Sequence, residues 1–456
     1  MSKTISMPRL LVAGIQSGVG KTLVTLGMLT RLRRMEYTVQ PFKVGPDFID
    51  PSLHTQVTGR ISRNLDSFFN SEEVNRELFL RATKNSRIAI IEGGMGLFDG
   101  YSGSDERGSG AHMAKTLKAP VILVVDASSS CRSIAAVVHG FESFDSKVHV
   151  AGIVLNKVAG QRHLDWLKES IKLYAKAEVV GYLFTDPMLE IKERHLGLIP
   201  AAEKPLRFQW INHLDRQMKT QFNWPRIFKI AQSAPALPIP SHSIFPEPVH
   251  SCTAIAVARD AAFCFYYQDN LDLLEAFGAE ILPFSPMTDS LPKGAKGLYL
   301  GGGYPELWGK ELTANRFLRQ DIHLKSKEGF PIYGECGGLM YLGSTLKDFQ
   351  GITHPMVGAF PYRTEMSQRM KLAYVQTTSH KDNLLSLKKT RFPAHVFHFS
   401  DLKAEGSLNY AYQLNDGKNK FRDGLISKNT LASYCHLHFA SQPSLAQRFV
   451  NICSES

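Results

Sequence analysis

Two glycine-rich turns on this chain carry the residue types that chemistry needs. The first is Gly14-Ile15-Gln16-Ser17-Gly18-Val19-Gly20-Lys21-Thr22, which follows the apolar run Leu10 to Ala13 and precedes leucines at 23, 26, 29 and 32. Backbone N–H groups in such a turn, with a helix N-terminus behind them, converge on phosphate, while a lysine neutralises charge and a hydroxyl ligates magnesium. The pattern assigns Gly18, Gly20, Lys21 and Thr22 to ATP, with Thr22 also on Mg²⁺. Carboxylates should complete the metal site. Asp47 and Glu92 are the candidates, with Asp126 behind them. Glu92 leaves a buried run straight into Gly93-Gly94-Met95-Gly96, where an acid has little structural reason to stand. For Asp50 and Asp126 a helix cap or solvated turn is an equal reading.

The second turn is Tyr333-Gly334-Glu335-Cys336-Gly337-Gly338. Its small-x-nucleophile-x-small form is that of a nucleophile elbow, in which glycines admit a sharp strand-to-helix turn that exposes the side chain. A thiol at neutral pH needs a base or a helix N-terminus to become a thiolate. Ser433-Tyr434-Cys435-His436-Leu437-His438-Phe439 offers two bases, His436 and His438, which face the same side of a strand and which spacing alone does not separate. Attack on a carboxamide also needs donors for the tetrahedral oxygen, and Leu300-Gly301-Gly302-Gly303-Tyr304 supplies a candidate oxyanion hole at Gly302 and Gly303. Cys131, Cys252, Cys264, Cys435 and Cys453 read as small hydrophobes. His54, His112 and His195 read as surface or capping groups, and His395 and His398 as either substrate-facing or structural. A chain with both turns can free ammonia at one site and attach it to an ATP-activated acid at the other.

The elements that must position these residues are legible in the apolar runs. Leu10 to Ala13, Ile88 to Ile91, Val121 to Val125 and Ala151 to Leu155 suit strands of a parallel sheet buried on both faces. The leucine stripe after the first turn suits a helix packed back on that sheet. A second alternation runs through Thr253 to Ala258, Gly297 to Leu300, Pro331 to Tyr333 and Ala432 to Phe439. Glu92, Asp126, Asn156, Gly301 to Gly303, Cys336 and His436 fall at or just past the ends of these runs, where open α/β sheets bind ligands; Asn156 joins the nucleotide-binding set. Pro235, Pro238, Pro240, Pro246 and Pro248 crowd the stretch between the two alternations, which predicts a linker. The expected organisation is an ATP-dependent domain over 1–232, a proline-rich linker over 233–250 and a thiol-bearing domain over 251–456.

The balance of 53 Lys and Arg against 42 Asp and Glu, a net charge of +11 and a pI near 9.2, favours acidic partners. The basic residues are spread along the chain and no nucleic-acid module is present, so the expected partners are small polyanions and not nucleic acid. The six cysteines form no C-x-x-C pair, which excludes a zinc knuckle or redox dithiol and points to a reducing, cytoplasmic setting. Met1 to Arg9 lacks an apolar signal core, and no run approaches the ~20 apolar residues of a membrane span.

The motifs taken together resemble a known family. They are Ser17 to Thr22, Lys43 to Pro51, Thr58-Gly59-Arg60 with Arg63-Asn64-Leu65-Asp66, Glu92 to Gly100, Arg194-His195-Leu196-Gly197-Leu198, Ala258 to Phe263, Gly301 to Glu306 and Glu335 to Leu342. Across almost its whole length the chain resembles the cobyrinate a,c-diamide synthases, glutamine-dependent amidotransferases of corrin-ring biosynthesis. The G-x5-G-K-T spacing is similar to that of dethiobiotin synthetase-type ATPases. The resemblance implies an α/β fold, a P-loop NTPase-type parallel-sheet domain followed by a class I glutamine amidotransferase domain. It further implies ATP-dependent activation of the a and c acetate carboxylates of cobyrinate through acyl phosphates and amination by ammonia from glutamine; because that ammonia must stay neutral and unscavenged between sites, a closed passage across the domain interface is expected. In those terms Lys21 and Thr22 serve ATP and Mg²⁺, Asp47, Glu92 and Asp99 belong to the synthetase centre, and Cys336 is the glutaminase nucleophile. A single His after an aromatic residue in the last strand of related enzymes favours His436 over His438. One departure stands out: the family's His-Glu-Phe-His-Tyr-Ser is here His395-Val396-Phe397-His398-Phe399-Ser400, so the acid that would orient the base is absent from that stretch. Hydrogenobyrinate or nickel sirohydrochlorin as substrate, and a non-catalytic P-loop ATP switch, are the alternatives. A homodimer is compatible with the sequence.

Overall fold

The computed structural model describes residues 4–190, 193–194, 197–247 and 253–456. His195, Leu196, Pro248 and Cys252, each used in the reading above, lie outside the described residues. The chain divides into two compact units, Met1–His242 and Ser243–Ser456.

In the first unit a short strand β1 (Thr4–Ile5) precedes seven parallel strands: β2 (Arg9–Gly14), β3 (Val39–Val44), β4 (Arg63–Leu65), β5 (Ile88–Gly96), β6 (Val121–Asp126), β7 (Val150–Val158) and β8 (Glu178–Phe184). Their order is β4-β3-β5-β2-β6-β7-β8. Every residue of β2 is buried, as a central strand covered by helices on both faces requires. The helix Lys21–Arg34 buries Leu26, Leu29 and Leu32 of the expected stripe, together with Val24 and Met28. Register then does the work of placement, because β3 against β5 pairs Lys43 with Glu92, and β6 against β7 pairs Asp126 with Asn156. A two-residue pairing of β9 (Glu193–Arg194) with β10 (Gly197–Leu198) follows. The proline-rich stretch is not all connector: β11 (Leu237–Pro238) pairs antiparallel with β1, on an edge where a proline's missing N–H is tolerated.

Arg9, at the start of β2, is fully buried, and among the described residues its hydrogen bonds go to carbonyls. Its guanidinium donates to the carbonyls of Leu117 at 2.6 Å and Met7 at 2.8 Å, and also to those of Lys118 and Pro235. Burial lowers its pKa to about 10.

The second unit holds β12 (Thr253–Ala258), β13 (Ala279–Phe284), β14 (Gly297–Leu300), β15 (Ile332–Glu335), β16 (Thr345–Lys347), β17 (Thr353–Pro355), β18 (Tyr362–Ser379), β19 (Arg391–Ala404), β20 (Tyr410–Asn415), β21 (Lys420–Ser427), β22 (Thr430–Ser433) and β23 (Cys435–Leu437). They form one sheet ordered β13-β12-β14-β15-β22-β21-β20-β18-β16-β17, with β19 joining β18 to β23. The β13-to-β22 portion is parallel, while β21 and β20 continue it antiparallel. The chain changes partners at Tyr434, from β15 and β21 on the β22 side to β19 on the β23 side. The carboxylate of Asp423 accepts the donors this switch leaves over: Ser433 Oγ at 2.7 Å, Cys435 N at 3.1 Å and Tyr434 N at 3.2 Å. Among the described residues no helix is long and apolar enough to cross a membrane.

Candidate active sites

The first turn leaves β2 at Gly14 and enters the helix at Lys21. Gly20 caps that helix at φ 92°, a left-handed backbone in which a side chain is strained, and a Cβ there would sit 2.1 Å from Asn156 Nδ2. Asn156 donates to the Val19 carbonyl at 2.8 Å, so it braces the turn from β7. Lys21 folds back to donate to the Gln16 carbonyl at 3.1 Å. Burial first, and then the nearby Lys43, lowers the Lys21 pKa.

Beside the turn lies a buried cluster. Thr22 Oγ1 donates to Glu92 Oε1 at 2.7 Å and lies 3.4 Å from Asp50 Oδ2. Lys43 Nζ donates to Glu92 Oε1 at 2.9 Å and to Asp50, with Asp47 at 3.6 Å. His54 Nε2 meets the other Glu92 oxygen at 2.7 Å, and its Nδ1 lies 3.2 Å from Ser62 Oγ. Burial would raise Glu92, but Lys43 and His54 outweigh it and hold the carboxyl well below its usual range. Burial would likewise lower Lys43, yet Asp50, Glu92 and Asp47 hold it high. Asp50 itself is pushed up by burial and Asp47 beyond what Lys43 returns. Asp50 is thereby driven toward neutrality. Glu92 is thus ionised against a charged Lys43, each partner favouring the other's charged form. One lysine facing three carboxylates leaves surplus negative charge for Asp47 and Asp50 to share.

The second turn joins β15 to the helix Gly337–Leu342 through Cys336, whose backbone stands at φ 51° and ψ −96°. This is a strained conformation for a residue with a side chain. The thiol is 5% exposed, with Phe397 O at 3.6 Å. His436 on β23 directs Nδ1 at Glu335 Oε1, 2.9 Å away. Burial would lower the imidazole, but Cys336, through charge and a hydrogen bond, and Glu335 outweigh it and push His436 up to about 10. Gly302 adjoins this ring, since a Cβ on it would lie 2.7 Å from His436 Cε1, and Gly303 N lies 3.1 Å from where a Cβ on Gly337 would be. A thiol, an imidazole, a carboxylate and a glycine turn thus meet at the carboxyl ends of β14, β15 and β23.

Two family models cover most of the chain. Residues 10–199 match the CobQ/CobB/MinD/ParA nucleotide binding domain, and residues 254–444 match the CobB/CobQ-like glutamine amidotransferase domain. A cobyrinate a,c-diamide synthase of Dehalococcoides mccartyi is 40% identical over 463 residues, covering 99% of each chain. That of Synechococcus sp. is 40% identical over 451 residues, covering 98% of each, and that of Methanobrevibacter smithii 40% over 442, covering 96% of this chain and 97% of that one. The chain belongs to the cobyrinate a,c-diamide synthase family.

As a member of that family it is a glutamine-dependent, amide-forming ligase, built from a nucleotide-binding α/β domain followed by a glutamine amidotransferase α/β domain. The structure brings Lys21, Thr22 and Glu92 together as expected from sequence but rearranges the acids around them. Asp47 faces Lys43 with Oδ2 at 3.6 Å while its Oδ1 accepts from Ile49 N at 2.8 Å and Asp50 N at 3.2 Å, starting the helix Ile49–Thr58, and it is Asp50 that joins Glu92 beside Thr22. Asp99 Oδ2 accepts from Gly96 N at 2.9 Å, so it holds the Glu92–Gly100 loop. Asp126 pairs with Lys157 Nζ at 2.7 Å.

The reading of His54 as a surface or capping group is wrong for this family member: it is fully buried on Glu92, a contact that nothing in its local sequence announces. His436 and His438 part company, because the His438 ring packs 4.8 Å from that of Tyr267. His395 stacks on His436 at 4.7 Å, and His398 on Tyr434 at 3.8 Å with Nδ1 at 2.9 Å from Ser400 O. Glu335 lies within the elbow motif, and the sequence pattern assigns it no role. The signal in the sequence is an acid placed directly beside the nucleophile at the end of the apolar run, a strand the structure buries at every position.

Proposed function

We propose that this enzyme converts the a and c acetate carboxylates of cobyrinate to amides in cobalamin biosynthesis. One observation carries the reading: a phosphate-binding turn with an acid–lysine cluster and a thiol–imidazole elbow occur on one chain. In the first unit, the backbone of Gly18 to Lys21 and the Lys21 ammonium would bind the ATP phosphates. Thr22 Oγ1, Glu92 and Asp50 converge as hard oxygen donors, and among the described residues no set of three His, Cys, Asp or Glu side chains gathers for a metal. A hydroxyl with one or two carboxylates suits Mg²⁺, which keeps waters and phosphate oxygens as its other ligands. That ion would balance the surplus negative charge there and neutralise charge on the transferring phosphate. A substrate carboxylate oxygen takes the terminal phosphoryl group and ADP leaves. Ammonia then adds to the acyl carbon and phosphate departs with the C–O electron pair.

In the second unit, Cys336 Sγ adds to the carboxamide carbon of glutamine. The oxyanion sits against the N–H groups of the Gly302–Gly303 turn. His436 passes the thiol's proton to the leaving nitrogen, ammonia departs, and water hydrolyses the thioester to glutamate. The partners are thus glutamine, ATP and a corrin polycarboxylate, and the setting is the cytoplasm.

Incubation with ATP, Mg²⁺, glutamine and cobyrinate should replace two carboxyl groups by amides in succession, read by mass spectrometry. Product from hydrogenobyrinate or nickel sirohydrochlorin in place of cobyrinate would reassign the substrate. Glutamine hydrolysis without amidation of any of the three would refute the ligase reading. Cys336→Ser should lower the glutamine-driven rate at least ~1000-fold while ammonium salts still drive amidation.

A further inference from the structure

We propose that Glu335, the residue immediately before the nucleophile, is the positioning residue for His436, in place of the acid missing from the His395–Ser400 strand. The inference rests on the glutaminase reading of the second unit and adds the group that sets the state of its base.

Consecutive residues of an extended strand face opposite ways, so an acid next to the nucleophile should not reach the same imidazole. Here the backbone reverses at Cys336, with φ 51°. The reversal lets the side chains of 335 and 336 both act on His436. Glu335 is 1% exposed and both its oxygens are engaged. Oε1 accepts from His436 Nδ1 at 2.9 Å, while Oε2 accepts from Tyr333 Oη at 2.7 Å, Tyr299 Oη at 3.3 Å and Leu437 N at 3.4 Å. Burial, and then the Glu335 charge, hold both phenols well above their usual range, so they stay donors at every working pH. The strand that carries His436 is pinned on its far side by Asn270, which donates to Leu437 O at 2.7 Å and accepts from Phe439 N at 2.7 Å.

A carboxylate on Nδ1 fixes the Nδ1–H tautomer, leaves Nε2 to take the thiol's proton, and stabilises the imidazolium that results. The other titratable groups facing His436 do not compete for this role. His395, stacked on the ring, is held far below its usual range by burial and then by His436. His398 is held near about 3 by burial and then by Lys371. Both are neutral at working pH. Cys336 carries the reacting sulfur itself, which leaves Glu335 as the carboxyl group held on Nδ1.

The test is Glu335→Gln, whose amide oxygen can still accept from Nδ1 but carries no charge. The glutaminase kcat should fall about 100- to 10,000-fold with a smaller change in the glutamine KM. The alkaline limb of kcat/KM, which follows loss of the His436 proton near pH 10 in the parent, should move to lower pH. In protein labelled with ¹³C at the histidine Cε1, the His436 resonance should titrate at lower pH than in the parent, with no substrate present. An unmoved titration overturns the proposal, whatever happens to the rate. Because that readout needs neither glutamine nor macrocycle, it is separate from failure of the proposed function, which would appear as a parent without glutaminase activity. If the variant does not fold, Tyr333→Phe serves instead. Stripping a donor from Oε2 should move the His436 titration to higher pH, and no movement overturns the proposal equally.

Discussion

The two sites solve their charge balance differently. Around Thr22 three carboxylates, Asp47, Asp50 and Glu92, face one buried lysine, and Asp50 is driven toward neutrality because there is not enough positive charge to go round. Around Cys336 one acid faces one imidazole, and the acid's second oxygen is capped by tyrosines. On the function proposed above, the first arrangement would be finished by what it binds, a cation and a phosphate chain, whereas the second is finished by the protein's own side chains. Their backbones differ in the same sense. At the nucleotide turn the positive φ falls on glycines, Gly18 and Gly20, but at the elbow it falls on Cys336, where the side chain cannot be dispensed with.

The comparison breaks most sharply at Glu92. Glu92→Gln removes the anion that Thr22, Lys43 and His54 share, so amidation driven by either glutamine or ammonium should fall at least ~100-fold, read by product mass. The elbow should be tested at its scaffold: Asp423→Asn sets an amide N–H₂ against the donors of Ser433, Tyr434 and Cys435. Unfolding by denaturant should show a loss of about 1–3 kcal/mol, and the glutamine-driven rate should drop with it. The sign of its pH dependence follows from burial, which raises Asp423 above its ordinary value. The parent's advantage from the protonated carboxyl is complete below the unfolded pKa and is lost as pH rises through the folded one. The gap in stability between parent and variant should therefore shift across the mildly acidic range. The smallest effect is the most diagnostic of strain: Cys336→Gly should abolish the thiol chemistry yet melt no lower than the parent, with a gain of about 1 kcal/mol where relief of φ 51° exceeds the added chain entropy. A melt several degrees lower would show the elbow to be unstrained.

Much of this was legible in the chain because both turns follow apolar runs and consist of glycine with one reactive residue. Strands β2, β5, β6 and β7 contain the aliphatic runs read for them. Strand β3 did not declare itself, since Val39-Gln40-Pro41-Phe42-Lys43-Val44 holds a polar residue, a proline and the lysine that the acid cluster requires. The function of the site thus erased the pattern of the strand beneath it. The long β18–β19 pairing was hidden for another reason: Arg369, Met370, Lys371 and Leu372 are all exposed in its middle, and where burial does alternate at the ends of β18 the buried positions include Thr364, Thr377 and Ser379, so no apolar alternation shows in the residues. His54 and Glu335 escaped assignment because their partners lie in space. His54 is 38 residues from Glu92, and Glu335 is 101 residues from His436. The base, by contrast, is narrowed to two positions by the strand's fixed side-chain direction; the family resemblance favours His436, and the structure sets Glu335 against that ring.

Arg9 bears on the nucleotide turn from the opposite rim of the sheet. It anchors the root of β2, whose tip five residues on is Gly14, by presenting a cation to four carbonyl oxygens drawn from three separate stretches of the chain. A lysine has no planar fork with which to reach them all. The far rim is therefore locked by a keystone whose removal would be felt first as a slackened grip on ATP, although the lesion lies a full strand's length from any phosphate.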